Sequence, residues 1–122
     1  MSQKILNLNI MKSYKQFINE SKTDIDSICK EYGIRNYTIN SDGSIDVNGD
    51  VFITSFKLNT LPPKFRNVTG YFICAEIQLT SLEGCPISVG GDFICNSNRL
   101  TSLKGCPKIG NDFDCSNNRL IS

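Results

Sequence analysis

This 122-residue chain has six cysteines, the residues in it with the most possible chemical roles. Cysteine can form disulfides, bind zinc or act as a nucleophile. Their spacing favours a simpler role. Cys74, Cys95 and Cys115 recur at 21 and 20 residues, and Cys85 and Cys106 recur at 21. Residues that replace one another in a repeat fill the same packing position, and cysteine is a small, often buried hydrophobe. We therefore expect free, buried thiols, which fit a reducing cytosol, rather than disulfides.

Metal binding and catalysis find little support in the residue types. Successive cysteines of the two columns are 9 to 11 residues apart, whereas zinc sites use close pairs, and the chain has no histidine. Without histidine, neither a Ser-His-Asp nor a Cys-His arrangement can form. Asp92 and Asp112 share a repeat position and invite a paired-carboxylate interpretation, but Asp50 and Tyr71 fill the same position, which favours a solvated rim. We expect no enzyme, no cofactor and no metal site.

The cysteine columns belong to a sequence repeat that covers residues 47–122. Val47, Val68, Val89 and Ile109 open successive units at spacings of 21, 21 and 20, which gives about 3.5 units of 20 to 21 residues. Such a period predicts a solenoid, whose units bury their apolar side against their neighbours. The pattern Phe-x-Cys has period two and indicates a short strand with both side chains inward. Stacking pairs these strands into a small parallel sheet.

A glycine-rich position lies just before each of these strands. Gly49, Gly70, Gly91 and Asn111 occupy it. Because glycine and asparagine tolerate positive φ, we expect a left-handed backbone at this position. The return segment carries a Gly-Cys-Pro turn signal and is too short and too broken for a helix.

The units resemble a leucine-rich repeat. Phe93-x-Cys95-x-x-Asn98-x-Leu100-x-x-Leu103 matches the family pattern L-x-L-x-x-N-x-L with Phe and Cys for Leu, and Leu-Thr-Ser-Leu-x-Gly-Cys-Pro is similar to the short bacterial subclass. The resemblance implies a curved solenoid with its sheet on the concave face. It also implies that Asn98 and Asn118 hydrogen-bond turn backbone. Phe56 and Ile77 fill the asparagine position in the first two units, a departure that is typical of capping units.

Residues 21–46 predict a helix and a β-hairpin ahead of the solenoid, so we expect an α+β fold for the whole chain. The helix is predicted over residues 23–33, where Ile25, Ile28, Cys29 and Tyr32 form one apolar stripe. Residues 34–50 alternate around Ser41-Asp42-Gly43, which is a hairpin signal. We expect the helix and the hairpin to cap the N-terminal end of the solenoid.

Residues 1–20 form an N-terminal arm with a second resemblance. Its segment 11–20, Met-Lys-Ser-Tyr-Lys-Gln-Phe-Ile-Asn-Glu, is amphipathic, with Met11, Tyr14, Phe17 and Ile18 on one side. It resembles the capsid-targeting peptide of internal head proteins in T-even-like bacteriophages, which begins Met-Lys-Thr-Tyr-x-x-Phe-Ile-x-Glu. The resemblance implies a phage origin, packaging into the head, and cleavage by a prohead protease after the triplet Ile18, Asn19 and Glu20. The alternative is an ordinary amphipathic helix beside the cap.

A surface for a protein partner is predicted on the outward side of the sheet. Three large apolar residues, Phe52, Ile73 and Ile94, recur there beside Tyr71, and such a contiguous stripe is typical of an interface. The predicted partner-binding residues on the concave face are Phe52, Tyr71, Ile73, Asp92, Ile94, Asp112 and Asp114. The alternative is that the N-terminal arm folds over this stripe. The last strand would present an unpaired edge, which suggests self-association as a further expectation.

The charge balance narrows the class of partner. Thirteen basic and twelve acidic residues leave a net charge of +1, so no basic patch predicts nucleic acid or a membrane surface as partner. We therefore expect a non-catalytic protein-protein interaction module of phage origin, in the cytoplasm of the bacterial host, that binds a host or virion protein. The alternative is a structural or internal head protein, packaged through the N-terminal peptide and cleaved after Glu20.

Overall fold

The computed structural model describes residues 24–54, 58, 60–61 and 63–121. A helix, α1, spans residues 24–31, inside the predicted 23–33. The strands that follow are β1 (Tyr37–Ile39), β2 (Ile45–Val47), β3 (Val51–Phe52), β4 (Phe65–Val68), β5 (Phe72–Ile73), β6 (Ser88–Val89), β7 (Phe93–Ile94), β8 (Lys108–Ile109) and β9 (Phe113–Asp114).

The strands form two sheets, and the chain alternates between them. Sheet A has the order β1-β2-β4-β6-β8, and sheet B has the order β3-β5-β7-β9. Neighbouring strands are parallel in both sheets except β1 and β2, which form an antiparallel pair around the predicted hairpin turn. Each repeat unit adds one strand to each sheet, so the described part of the chain contains a parallel β-solenoid of about three turns.

Sheet B is the parallel sheet that the Phe-x-Cys pattern predicts. Apart from the predicted hairpin strands β1 and β2, sheet A was not predicted, because only one apolar position recurs in Phe65–Val68, Ser88–Val89 and Lys108–Ile109, without apolar alternation. The signal that marks it is the Val or Ile that opens each unit: Val47, Val68 and Val89 all lie in sheet A and are buried. The predicted boundary at residue 47 falls inside β2, so the hairpin and the solenoid share a sheet.

The core runs through the middle of the coils as columns of like residues. The inward positions of sheet B, at Val51, Phe72 and Phe93, are completely buried, and so are Ile53, Cys74 and Cys95 two residues later. Phenylalanine rings also contact one another along the solenoid axis: the Phe72 and Phe93 centroids are 6.0 Å apart with the rings tilted by 43°. The inward columns predicted from the repeat are therefore confirmed for these coils.

The prediction of a left-handed backbone at the glycine position is wrong for most coils. Among Gly49, Gly70, Gly91 and Asn111, only Gly49 has positive φ. The physical requirement is space rather than conformation. A Cβ at Gly70 would collide with the Asp50 carboxylate and lie 2.7 Å from the Gly49 carbonyl oxygen, because the backbones of successive coils are closely stacked here.

Left-handed residues lie instead in the turns after β5, β7 and β9. Glu76, Ser97 and Asn117 have φ of 59°, 57° and 55°, although none is glycine. Each directly precedes the position that the repeat fills with Ile77, Asn98 or Asn118. In the last two of these coils an asparagine side chain therefore follows the strained residue, and its amide holds the turn in place.

Candidate functional site

The register of sheet B brings four of the seven predicted partner-binding residues together in one row, and Tyr71, Asp92 and Asp112 each lie two residues before a member of that row. Phe52 pairs with Ile73, Ile73 with Ile94, and Ile94 with Asp114, each one strand along. The Phe52 side chain is 54% exposed, and the two isoleucines are half-buried between their neighbours. We call the outward surface of β3, β5, β7 and β9 the sheet B face. It consists of this row and of the residues two positions before and two positions after each member of the row.

Carboxylates along one side of the sheet B face tie successive coils together. Asp50 Oδ1 accepts a hydrogen bond from the Tyr71 N–H at 3.0 Å. Two coils later, Asp92 Oδ1 accepts one from the Asp112 N–H at 3.0 Å and one from Asn111 Nδ2 at 2.7 Å. Asp50 and Asp92 share the repeat position that suggested a carboxylate pair. Each of them instead accepts a backbone hydrogen bond from the next coil, which fits a position at the rim of the sheet.

Asp114 closes the row with a fixed negative charge. Its Oδ1 accepts hydrogen bonds from the Ser116 hydroxyl at 2.6 Å and from the Ser116 N–H at 2.9 Å. These bonds, the hydroxyl first, lower the pKa of the Asp114 carboxyl below its ordinary value. The carboxylate is therefore held ionised at the end of the face.

Charge is unevenly distributed over the sheet B face. Its central row and the positions on either side contain four aspartates and no lysine or arginine: Asp50, Asp92, Asp112 and Asp114. The row is apolar from Phe52 to Ile94 and becomes acidic at β9. An apolar strip beside one sign of charge favours a partner that is itself apolar and positively charged.

The outward surface of sheet A is different, because its polar groups satisfy one another. Asn67 donates from its backbone N–H and its Nδ2 to Asp46 Oδ1, at 3.1 and 3.2 Å, and Ser88 Oγ donates to Asn67 Oδ1 at 2.7 Å. Arg66 also makes a two-pronged ion pair with Asp46. This polar ladder was missed from the sequence, although its members share the position just before the Val that opens each unit.

The cysteines are free thiols in positions where a nucleophile or metal ligand would be poorly placed. Burial raises the pKa of Cys95 to about 12 and that of Cys29 to about 11. A hydrogen bond with Cys85, together with burial, raises the pKa of Cys74 well above its ordinary value. A buried neutral thiol is a packing group. Within residues 24–121, as far as the structure describes them, no group of three Cys, Asp or Glu side chains is arranged to hold a metal ion.

The last coil presents the open edge that the sequence predicts. In the coil before it, the Phe93 N–H donates to the Asp112 carbonyl and the Cys95 N–H to the Asp114 carbonyl, both at 2.8 Å. The equivalent N–H groups of Phe113 and Cys115 have no backbone acceptor within the described residues.

The predicted cleavage residues Ile18, Asn19 and Glu20, with the whole segment 11–20, lie outside the described residues. Their proposed role therefore stays a prediction from the sequence.

Comparisons with family models, with curated proteins and with solved structures found no match for this chain. No helix in the part that the structure describes has the length and apolar character needed to cross a lipid bilayer. The class that the geometry defines is a small parallel β-solenoid with one apolar, acid-rimmed sheet face.

Proposed function

We propose that this chain is a non-catalytic protein-protein interaction module that binds a segment of another protein on its sheet B face. The observation that carries the proposal is the contiguous apolar row of Phe52, Ile73 and Ile94, ending at Asp114 and bordered by aspartates. Apolar side chains of the partner would cover the row, and lysine or arginine beside them would meet the rim. The resemblances of the repeat and of segment 11–20 support a phage origin, and with it a host or virion protein as partner in the bacterial cytoplasm.

The face has the composition of an interaction site rather than of a reaction site. Aromatic and aliphatic side chains supply the buried centre of protein interfaces, and charged groups at the rim add specificity and association rate. Two of the aspartates that border the row, Asp50 and Asp92, already accept a backbone hydrogen bond from the next coil, Asp92 from the Asp112 N–H at 3.0 Å. Their fixed orientation favours a role as a static rim.

Two substitutions on the face test the proposal. We expect the double variant Phe52→Asp with Ile94→Asp to lose its ligand in affinity capture from a bacterial lysate, because two charges would face the partner's apolar groups. The matched control is Ile87→Asp with Ile121→Asp, which adds the same charges at residues that are 65% and 84% exposed and lie outside the face. Captured proteins are compared by mass spectrometry, and thermal unfolding checks that each variant is folded.

The outcomes separate clearly. Loss of the same protein with the face variant but not with the control supports the proposal. A folded face variant that captures the same proteins as the wild-type chain would contradict it. Captured ligand should also be released by raising the salt concentration, because charges on the rim are screened within about 10 Å at 0.1 M ionic strength.

The second candidate, an internal head protein packaged through segment 11–20, rests on the sequence resemblance. Mass spectrometry of purified virions tests it: a peptide that begins at Ser21 is expected if the chain is packaged and cut after Glu20. Full-length chain inside heads, or none at all, would contradict it.

A further inference from the structure

The open edge at β9 presents backbone donors whose bonding geometry is known from the coil before it. In that coil the N–H groups of Phe93, Cys95 and Ser97 donate to carbonyls of the last coil at 2.8, 2.8 and 2.9 Å. Three equivalent N–H groups of the last coil have no acceptor within the described residues: those of Phe113, Cys115 and Asn117. They lie at every second residue, so they point the same way. An extended segment beside β9 could accept all three hydrogen bonds.

The apolar core is also exposed at this end of the solenoid. The Phe113 residue is 40% exposed, whereas the equivalent Phe93 is completely buried. Phe93 is covered on this side by Phe113 itself, whose ring lies nearly parallel to it with the centroids 5.6 Å apart. At the next inward position Cys115 is half-buried, whereas Cys95 is completely buried. A strand added to β9 would therefore place one large apolar side chain over Phe113 and a small one over Cys115.

Two carboxylates flank Phe113 on the outward side of the last coil. Asp112 is exposed and Asp114 is half-buried, and neither makes an ion pair within the described part of the chain. The Ser116 hydroxyl and N–H, at 2.6 and 2.9 Å, hold the Asp114 carboxylate in its ionised form. Cross-strand neighbours of opposite charge stabilise a sheet. The positions beside these two aspartates on an added strand therefore favour lysine or arginine.

A second copy of this chain fits the edge poorly. In an antiparallel pair of β9 strands centred on Phe113, Asp112 of each copy would face Asp114 of the other. In a pair centred on Asp114, the two Asp114 carboxylates would face each other, and like charges directly opposite destabilise a sheet. Head-to-tail stacking of β9 on β3 is blocked by β1, which extends sheet A one strand beyond the coil of β3, at the level that β8 of the other copy would occupy.

From these observations we infer that the edge of β9 binds an extended segment of another protein as an additional strand, with a large apolar residue over Phe113 and a lysine or arginine on each side of it. Backbone hydrogen bonds supply the affinity in this mode of recognition, and the alternating side chains supply the specificity. The inference goes beyond the proposed function, because it concerns the edge of the solenoid rather than the apolar row of the sheet B face.

A pair of synthetic peptides tests the edge on the full chain. The probe is Gly-Lys-Phe-Lys-Val-Gly with both ends blocked, and the matched control is Gly-Glu-Phe-Glu-Val-Gly. We expect the basic peptide to slow the amide hydrogen exchange of Phe113, Cys115 and Asn117 several-fold, as followed by nuclear magnetic resonance, because their N–H groups gain acceptors. The acidic peptide should leave the exchange of these three amides unchanged.

Removal of the edge charges tests the predicted basic residues of the partner. We expect Asp112→Asn with Asp114→Asn to bind the basic peptide about tenfold more weakly, because two cross-strand pairs of opposite charge are lost. The matched control, Glu76→Gln with Glu83→Gln, removes the same charge at exposed positions two coils earlier and should bind like the wild-type chain. Thermal unfolding checks that both variants are folded.

Three results would overturn the inference. One is that millimolar basic peptide leaves the three amides unprotected, and another is that the acidic peptide protects them equally. The third is that these amides are already protected before any peptide is added. Sedimentation then shows whether the edge is covered within a monomer or by a second copy. The proposed function is tested separately, by capture with the Phe52→Asp, Ile94→Asp variant, so either idea can fail while the other stands.

Discussion

The third and fourth coils of the solenoid carry the same sequence pattern but have different environments. Phe93 and Phe113 occupy equivalent positions, yet Phe93 is completely buried and Phe113 is 40% exposed. The ring of Phe93 has neighbours on both sides, with centroids 6.0 Å away at Phe72 and 5.6 Å away at Phe113. Position in the stack therefore decides what an identical residue contributes, as expected when each unit contacts only its neighbours.

The asparagines show the same contrast in hydrogen bonds. Asn98 Oδ1 accepts from the N–H groups of Ile77 and Leu79, at 3.1 and 3.0 Å, and its Nδ2 donates to the Cys74 carbonyl at 2.8 Å. Among the described residues, Asn118 Oδ1 accepts only one hydrogen bond, from the Leu100 N–H at 3.0 Å, and the residue is half-buried. Its Nδ2 donates to the Cys95 carbonyl at 3.0 Å, as Asn98 Nδ2 does to the Cys74 carbonyl, so the contrast lies on the acceptor side. The family resemblance predicted that both asparagines bind turn backbone, and the hydrogen bonds confirm this. It could not predict that the two would differ.

The largest expected effect is on the phenylalanine column. We expect Phe93→Ala to lower the free energy of unfolding by about 3–5 kcal/mol, because it leaves a cavity between the rings of Phe72 and Phe113. Phe113→Ala should lower it by only about 1 kcal/mol, since part of that ring already contacts solvent. Urea unfolding followed by circular dichroism measures both. Equal losses at the two positions would mean that the last coil is covered in solution, for example by a second copy on its open edge.

The asparagine column should give an intermediate effect. Asn98→Ala leaves buried backbone N–H and C=O groups without hydrogen-bond partners, and each such group costs about 1–3 kcal/mol. We expect a loss of about 3 kcal/mol for Asn98→Ala and about 1 kcal/mol for Asn118→Ala, because water can reach the backbone around the last turn. Amide hydrogen exchange provides the local measurement: the amides of Ile77 and Leu79 should exchange faster in Asn98→Ala but not in Asn118→Ala.

The repeat was predictable because each of its columns has one physical task. Spacing alone identified the inward residues of sheet B and the outward row of Phe52, Ile73 and Ile94. The strands of sheet A after the hairpin were not predicted, because only the Val or Ile that opens each unit recurs there, without the second apolar residue that gave sheet B its alternation. In such short elements the hydrogen bonds to neighbouring coils, rather than local propensity, determine the structure.

The glycine position teaches the complementary point. Glycine at residue 70 suggested a left-handed backbone, but its φ is not positive, and a Cβ there would lie 2.7 Å from the Gly49 carbonyl oxygen of the previous coil. Glycine is required because the backbones of successive coils approach closely here. A local stretch of sequence does not reveal such a contact between residues about one repeat apart. Likewise, the positive φ of Ser97 follows from a turn tied down by Asn98, and serine itself gives no signal for it.

The smallest effect should come from the cysteine column. Cys95 is completely buried and Cys115 is half-buried. We expect Cys95→Ser to cost about 1–2 kcal/mol, because a hydroxyl loses hydration in the core, and Cys115→Ser to cost less than about 0.5 kcal/mol. Thermal unfolding at neutral pH measures the pair. A larger cost at Cys115 would show that the fourth coil is buried by something outside the described residues.

Alkaline pH sharpens this last contrast, because burial raises the pKa of Cys95 to about 12 from an ordinary value of 9.0. A group whose pKa is raised in the folded state stabilises the fold fully below the unfolded pKa, and that contribution is lost as the pH rises towards the folded value. The wild-type chain should therefore lose stability between about pH 9 and pH 12, since the unfolded thiol ionises first. Serine does not ionise in this range, so Cys95→Ser should lose less stability over the same interval. Parallel stability curves for the two proteins would mean that the Cys95 thiol is already in contact with water in the folded chain.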